Sequence, residues 1–360
     1  MRPKKHIGII VSIVIVIVFL NYCNCWDLTS HDIKDNYYIS SIAVFKNRAF
    51  LTLPRTSCFN NISYPTIIEV PWIGSRSVKV KKSIAFPPGI VQVWGVCDKL
   101  QDAVAVAVQE PETRLWVLDA GSAICNPKVI VYDLNFDVEF QKFQLVGIPH
   151  GTLTSLVIDE NHEGGLVFVG SKNENTLVVL SLEESLWWEV SLRTEQGENV
   201  YTEALAISPI EPVLFATNSS KENLYKIKLE SIVDNFRRKN LTRTAVADFI
   251  GNKMGPSGGM LVDLKGGLVY YLTRDYAVVR WDGSQSLKAE SHDILAQSFR
   301  ALPFVPCIFN GPQDGIWALV NPHAPSECPV KGEHPVNFTN TEEFKLRTRV
   351  IKLLKFIKKE

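Results

Sequence analysis

The segment Gly255-Pro-Ser-Gly-Gly259 has the Gly-x-Ser-x-Gly spacing of a serine nucleophile. That chemistry needs a strand before the serine and a helix after it, so that a sharp turn exposes the hydroxyl. Pro256, Gly258 and Gly259 oppose a helix, and the residues beyond them read as a strand, so Ser257 is not expected to act as such an elbow. His31, His150, His162, His292, His323 and His334 show no metal-ligand spacing, and there is no Cys-x-x-Cys. No phosphate loop, dinucleotide fingerprint or EF-hand pattern is present, so neither a metal nor a cofactor is expected. What remains is a set suited to binding: Thr154, Tyr201, Glu203, Asn218, Ser257, Arg274 and Asn321, with Phe304 beside them. One carboxylate, several hydrogen-bonding groups and an aromatic wall fit a small aromatic cation or a catechol. The competing reading is that most of these groups only satisfy backbone at loop ends.

A recurring unit would bring these residues together. A strand of small residues, a polar turn and an aromatic-rich strand recur about six times at a spacing of roughly 50 residues, the range of propeller blades. The clearest copy pairs Ser155–Asp159 with Leu166–Ser171. Others pair Ala103–Gln109 with Leu115–Asp119, Ala204–Pro209 with Val213–Asn218, and Gly258–Asp263 with Gly267–Thr273. Weaker copies pair Ser41–Phe45 with Ala49–Pro54 and Cys307–Asn310 with Ile316–Asn321. Runs at 129–132, 177–180, 224–227 and 277–281 read as third strands. The expected fold is therefore all-β, a six-bladed β-propeller over residues 26–344, whose small inner-strand residues answer crowding at the axis. Starts of first strands and ends of second strands converge on one mouth of such a channel, where the candidate residues fall. Trp116, Trp281 and Trp317 are expected to pack between blades. Ser231–Thr244 has room for a short surface helix. Leu346, Val350, Leu353, Leu354 and Ile357 recur among basic residues, so 345–360 reads as a basic amphipathic helix, docked on the propeller or touching anionic lipid or glycan.

Apolar residues make up 46% of the 360-residue chain and charged residues 21%, enough for a large core. The formal net charge is zero, which argues against a nucleic-acid-binding protein. Arg2, Lys4 and Lys5 precede a mainly apolar run from Ile7 to Leu20, so residues 1–25 read as a signal peptide, with Cys23 and Cys25 near the cleavage site. No later segment is long and apolar enough to span a membrane, and the mature chain is expected to be secreted. Sequons at Asn61, Asn240 and Asn337 fit export, whereas the one at Asn218 ends an inner strand. Cys97 with Cys125 and Cys307 with Cys328 each bracket one unit, at ends that an up-down strand pair brings together, so both pairs are expected as disulfides. Cys58 is left over.

Leu115-Trp-Val-Leu-Asp-Ala-Gly121 followed by Cys125-Asn-Pro-Lys-Val-Ile-Val-Tyr-Asp-Leu134 resembles the yellow/major royal jelly protein family of insects. So do 175–182 with Ser185-Leu-Trp-Trp188, Ala204-Leu-Ala-Ile-Ser-Pro209, Ala277-Val-Val-Arg-Trp-Asp282, Ile316-Trp-Ala-Leu-Val-Asn321 and Leu51-Thr-Leu-Pro-Arg55. The matches run in order over residues 40–350. The resemblance implies a secreted six-bladed propeller binding small ligands at its channel. Some members are similar to carriers of biogenic amines such as serotonin, others are linked to melanin formation through dopachrome conversion, and others are nutritive or signalling proteins. Two departures lie near the mouth: Pro322 follows Asn321, and a stretch with Cys58 and a sequon follows Arg55.

Three functions follow. The first is a binding protein for a small aromatic amine or catechol, with Glu203 pairing the ammonium and Tyr201 or Phe304 packing on the ring. The second is a dopachrome isomerase with Glu203 as base. The third is a calcium-dependent propeller lactonase with Glu203, Asn218, Asn321 and Asp119 as an oxygen-rich site. A cuticular or developmental role is a further alternative.

Overall fold

Strands buried on both faces need neighbours on both faces, and that requirement organises this chain. Residues 26, 28, 37–55, 64–72, 83–89, 92–160, 165–172, 174–237, 243–312, 314–325 and 348–355 are described in a computed structural model. The first unit holds β1 (Ser41–Phe45), β2 (Arg48–Thr52), β3 (Ile67–Pro71) and the short β4 (Ile84–Ala85). The second holds β5 (Ala103–Gln109), β6 (Arg114–Asp119), β7 (Lys128–Asp133) and β8 (Val138–Gln144). The third holds β9 (Leu153–Asp159), β10 (Leu166–Ser171), β11 (Thr176–Ser181) and β12 (Leu186–Arg193). In the fourth, β13 (Ala204–Ile207), β14 (Val213–Thr217) and β15 (Asn223–Lys228) lead through the helix α1 (Leu229–Arg237) to β16 (Thr244–Asn252). The fifth holds β17 (Ser257–Val262), β18 (Leu268–Leu272), β19 (Ala277–Trp281) and β20 (His292–Gln297). The last holds β21 (Phe304–Gly311), β22 (Gly315–Asn321) and β23 (Arg349–Lys355).

Within each unit consecutive strands pair antiparallel, and one short parallel bridge between β12 and β16 joins the third and fourth units. The first strands neighbour one another in chain order, and β21 also meets β1, so the array closes on itself. Side chains alternate between two apolar clusters, one on each side of a unit. On β10, Val167 and Val169 face the second unit while Leu166 and Phe168 face the fourth. Such a cluster fills every junction, including the one between the last unit and the first, where Phe309, Trp317, Leu319 and Val350 meet Ile42, Leu51, Val70 and Trp72. Trp116, Trp281 and Trp317 are buried in these junctions as expected, each burying area worth roughly 1.5–3 kcal/mol. The fourth strands are faint in the sequence, as β8 with its exposed Val138 and Phe140 shows, except β12, whose Trp188, Val190 and Leu192 are buried in a junction.

Some expectations change and others fall outside the described residues. The basic helix at the C-terminus is instead the strand β23 over residues 349–355. Its apolar residues divide between faces, Val350 into the junction with the first unit and Ile351, Leu353 and Leu354 toward the fifth. The fully buried β22 would otherwise leave a row of backbone groups unpaired, and β23 pairs with it from Val320↔Arg349 to Gly315↔Lys355. Val350 is buried and Ile351, Leu353 and Leu354 are partly buried on the other face, so these four form no single apolar face for lipid or glycan; Leu346 and Ile357 lie outside the described residues. Cys97 and Cys125 do form a disulfide, with Cα atoms 5.0 Å apart. Cys307, by contrast, is a free thiol rather than the partner of Cys328. The register of β21 shifts between Phe304 and Cys307, and the thiol lies against the axial cavity and the first unit. Cys328, Cys58, residues 1–25 and the sequons at Asn61, Asn240 and Asn337 lie outside the described residues. No helix among the described residues is long and apolar enough to cross a membrane.

Two buried polar devices brace the ring. Asn321 Nδ2 donates to Ile39 O (2.8 Å), and its Oδ1 accepts from Ile39 N (3.3 Å) and from Thr348 Oγ1 (3.0 Å), tying the last unit to the first. Asp119 accepts from the backbone N–H groups of Gln101, Asp102 and Gly121. The Lys128 ammonium lies 2.8 Å from Asp119 Oδ2, both side chains being fully buried, as an off-axis ion pair rather than an aligned hydrogen bond. Asn321→Ala strands three partners, and a loss of about 1–3 kcal/mol in chemical denaturation is expected. Asp119→Ala leaves Lys128 as an unpaired buried charge, and its unfolding midpoint should drop by the equivalent of roughly 3–5 kcal/mol.

Candidate functional site

Inner strands crowd an axis, so their side chains must be small or leave space between them. Here they leave a cavity of about 1320 Å³, walled by the first strands of all six units. Its middle is apolar, with Ala105, Ala107, Ala206, Gly258, Gly259 and Ile308. The glycines are needed for approach: a Cβ on Gly258 would sit 2.8 Å from Val305 O, and one on Gly259 would sit 3.1 Å from Ile308 N. Polar side chains line both ends of the cavity, with Lys46, Glu110, Asp159, Glu160 and Asp314 where first strands finish; where they begin, each unit supplies one wall residue: Ser40, Asp102, Thr154, Glu203, Ser257 and Phe304.

Bulges shape this mouth. The register skips a residue at Val104 in β5, at Thr154 in β9 and at Gly259 in β17. A bulge frees backbone groups and re-aims a side chain. Val104 O accepts from Ser40 Oγ at 2.6 Å, and Thr154 Oγ1 donates to Glu203 O at 2.8 Å. Neighbouring inner strands are thus cross-linked by hydroxyls in place of a ladder.

Of the eight residues expected from sequence, Thr154, Glu203, Ser257 and Phe304 line the cavity. Glu203 Oε2 accepts from Ser219 N (3.0 Å) and Ser219 Oγ (2.7 Å). Phe304 lies 6.2 Å from Tyr38 and 6.5 Å from Tyr271 between ring centroids. Ser257 is buried, with Oγ 2.6 Å from Lys253 Nζ. The other four are outside the lining. Tyr201 lies under the Lys221 ammonium, 5.1 Å from the ring centre. Asn218 Oδ1 caps its own loop through Ser220 N and Oγ. Arg274 is exposed in the turn after β18, and Asn321 is consumed by ring closure. With Asp119 and Asn321 committed to structure, the four oxygen ligands imagined for calcium do not converge. Among the described residues no group of three acidic, histidine or cysteine side chains could hold a metal.

Sequence reasoning missed Asp102, Tyr38, Arg55 and Lys253. Asp102 was within reach, because it precedes Ala103 as Glu203 precedes Ala204. Burial pushes its carboxyl up to about 7, with Asp119 adding to the rise, against the Arg55 N–H bond (2.7 Å) and the Arg55 charge. Burial also pulls the Lys253 ammonium down to about 8, while Glu203 and Glu222 oppose the fall. Burial pushes the Cys307 thiol up to about 11, against hydrogen bonds from Ile42 and Ser41, so it is no ready nucleophile. Nothing local in the sequence marks Lys253 as buried.

The arrangement is similar to known structures at the level of fold. A virginiamycin B lyase from Staphylococcus aureus superposes with a TM-score of 0.51 at 11% identity, covering 82% of this chain and 80% of that one. A Bacteroides thetaiotaomicron protein of unknown function gives 0.51 at 12% identity, over 78% of this chain and 66% of the other. Among curated proteins, major royal jelly protein 6 of Apis mellifera is 20% identical over 241 residues, 58% of this chain and 54% of its own length. Major royal jelly protein 7 of the same species is 23% identical over the same share of this chain and 53% of its own. The chain thus spans about half the length of the curated relatives it matches. The family description "Major royal jelly protein" matches residues 101–324, from just before β5 to just after β22. The chain belongs to the major royal jelly protein family.

Proposed function

We propose that this chain is an exported protein that holds a small aromatic molecule, a biogenic amine or a catechol, in the polar mouth of its axial cavity. Glu203 carries the reading. Its carboxylate faces the cavity with Oε2 held by Ser219, which fixes the group and keeps it an acceptor. A protonated amine seated there pairs with a positioned carboxylate inside a partly desolvated wall, where such pairs are stronger than in water. Phe304 and Tyr38 supply the aromatic surface for the ring, and Thr154 and Ser257 supply hydroxyls along the same wall. The family membership and the Cys97–Cys125 disulfide support an oxidising, extracellular setting.

A second reading has one specific observation in its favour. Asp102 lines the same cavity with a carboxyl poised near neutral pH, the property wanted in a general base. An isomerase acting on dopachrome would then use Asp102 as base and Glu203 to orient its substrate.

Calorimetry with serotonin, dopamine and octopamine on protein secreted from insect cells should show micromolar binding of at least one. Glu203→Gln should weaken it at least about tenfold, ~1.4 kcal/mol. Below about pH 7 Asp102 is protonated and neutral; above it, Asp102 adds a negative charge to the wall. Amine affinity should therefore rise from pH 6 to pH 8, and the rise should flatten in Asp102→Asn. Absence of binding heat with all three amines would reject the carrier reading. Accelerated loss of dopachrome absorbance that disappears in Asp102→Asn would put the isomerase in its place.

A further inference from the structure

Lys253 is 2% exposed, which is unusual for the most solvent-seeking of side chains. It follows β16, and its own backbone N–H donates to Glu222 O. An ammonium brings three donors, yet the one hydrogen-bond partner of Nζ among the described residues is Ser257 Oγ, at 2.6 Å. Neither Glu203 nor Glu222 forms an ion-pair contact with it, although both charges act on it from a distance. A buried ammonium so poorly satisfied sheds its proton more readily than one in water. The neutral amine is then an acceptor for the hydroxyl it already touches. Ser257, itself 2% exposed, is among the residues that line the cavity, so the pair sits at the cavity wall with the base beside the hydroxyl.

We propose that Ser257 and Lys253 form a hydroxyl–amine dyad that takes an acyl group from a small carboxylic ester entering the axial cavity. This pairing of nucleophile and base at hydrogen-bond distance is the arrangement by which weak hydroxyl nucleophiles are activated. It owes nothing to the nucleophile elbow, because Ser257 opens the strand β17 and the glycines after it serve the approach of β21. In the first step neutral Nζ takes the hydroxyl proton as Oγ bonds to the ester carbonyl carbon. The resulting ammonium returns that proton to the departing alkoxide as the ester C–O bond breaks, leaving acyl-Ser257 and an alcohol. Water then adds to the acyl carbon, with Nζ again accepting and returning a proton, and the acid leaves with the hydroxyl restored. Burial lowers the Lys253 proton affinity to about 8, against Glu203 and Glu222, so the competent form gains as pH rises through that value.

The inference uses the cavity of the proposed carrier but not its amine. The full secreted protein would be mixed with p-nitrophenyl acetate, followed by nitrophenolate release and by peptide mass spectrometry. A burst is expected, with acetyl on the Ser257 peptide and a rate that rises with pH through about 8. Ser257→Ala should abolish that adduct, and Lys253→Met should slow its formation about 100-fold or more, the usual worth of a general base. Glu203→Gln separates the two readings: it should weaken amine binding, and it should move the pH midpoint of acetylation lower, because a charge holding the ammonium protonated is gone. Acetylated surface lysines in folded protein at pH 9, with no acetyl on Ser257, would overturn the proposal. An unchanged adduct rate in a folded Lys253→Met protein would overturn the role of the lysine.

Discussion

A closed ring of sheets depends on its last joint. Each unit here has apolar residues on both faces, so an unclosed array would expose one face of the first unit and one of the last. The joint is made by Phe309, Trp317, Leu319 and Val350 packing on Ile42, Leu51, Val70 and Trp72, and by Asn321 clasping the backbone of Ile39. The apolar contact supplies most of the driving force, since hydrophobic burial scales with area while a hydrogen bond nets only about 1 kcal/mol. The clasp supplies direction. A buried amide that reaches both Ile39 N and Ile39 O defines one register for the seam, which packing by itself specifies weakly.

Closure creates the cavity. Six first strands around an axis cannot hydrogen-bond to each other as a ladder, so backbone groups near their starts are met by hydroxyls and bulges instead. Ser40 with Val104 O and Thr154 with Glu203 O show the substitution. The same crowding forbids large side chains at the centre and leaves room along the axis. Polar groups then fall at the two ends of the cavity, because the starts and finishes of the first strands are where sheet pairing stops. A site in this fold is thus a by-product of how the ring satisfies its own backbone, with the carboxylates of Asp102 and Glu203 placed at equivalent strand starts two units apart.

Much of this was legible in the chain. Period-two runs with small residues, then aromatic runs, marked the first three strands of most units, because second and third strands are buried on both faces and first strands crowd the axis. The Cys97–Cys125 pair was legible for a topological reason, as entry and exit of one antiparallel pair lie at one end. Fourth strands other than β12 were faint because a strand with a solvent-facing side has less compositional duty. The C-terminal segment misled because Arg349-Val-Ile-Lys-Leu-Leu-Lys355 satisfies helical spacing about as well as strand alternation. The open edge of β22 decided between them, and that edge exists only once the ring is assembled.

The chain by itself therefore determined the unit, its repetition, the small residues at the axis and the family, since these depend on local pattern and order. Tertiary structure decided what each polar residue does. Asn321 and Glu203 look alike as candidates in sequence, yet one closes the ring and the other faces the cavity. Lys253 reads as an ordinary surface lysine until burial strips it of water and leaves it one hydroxyl for company. The physical reason is common to all three: the free energy of a polar group is set by what surrounds it, and those surroundings come from residues far away along the chain.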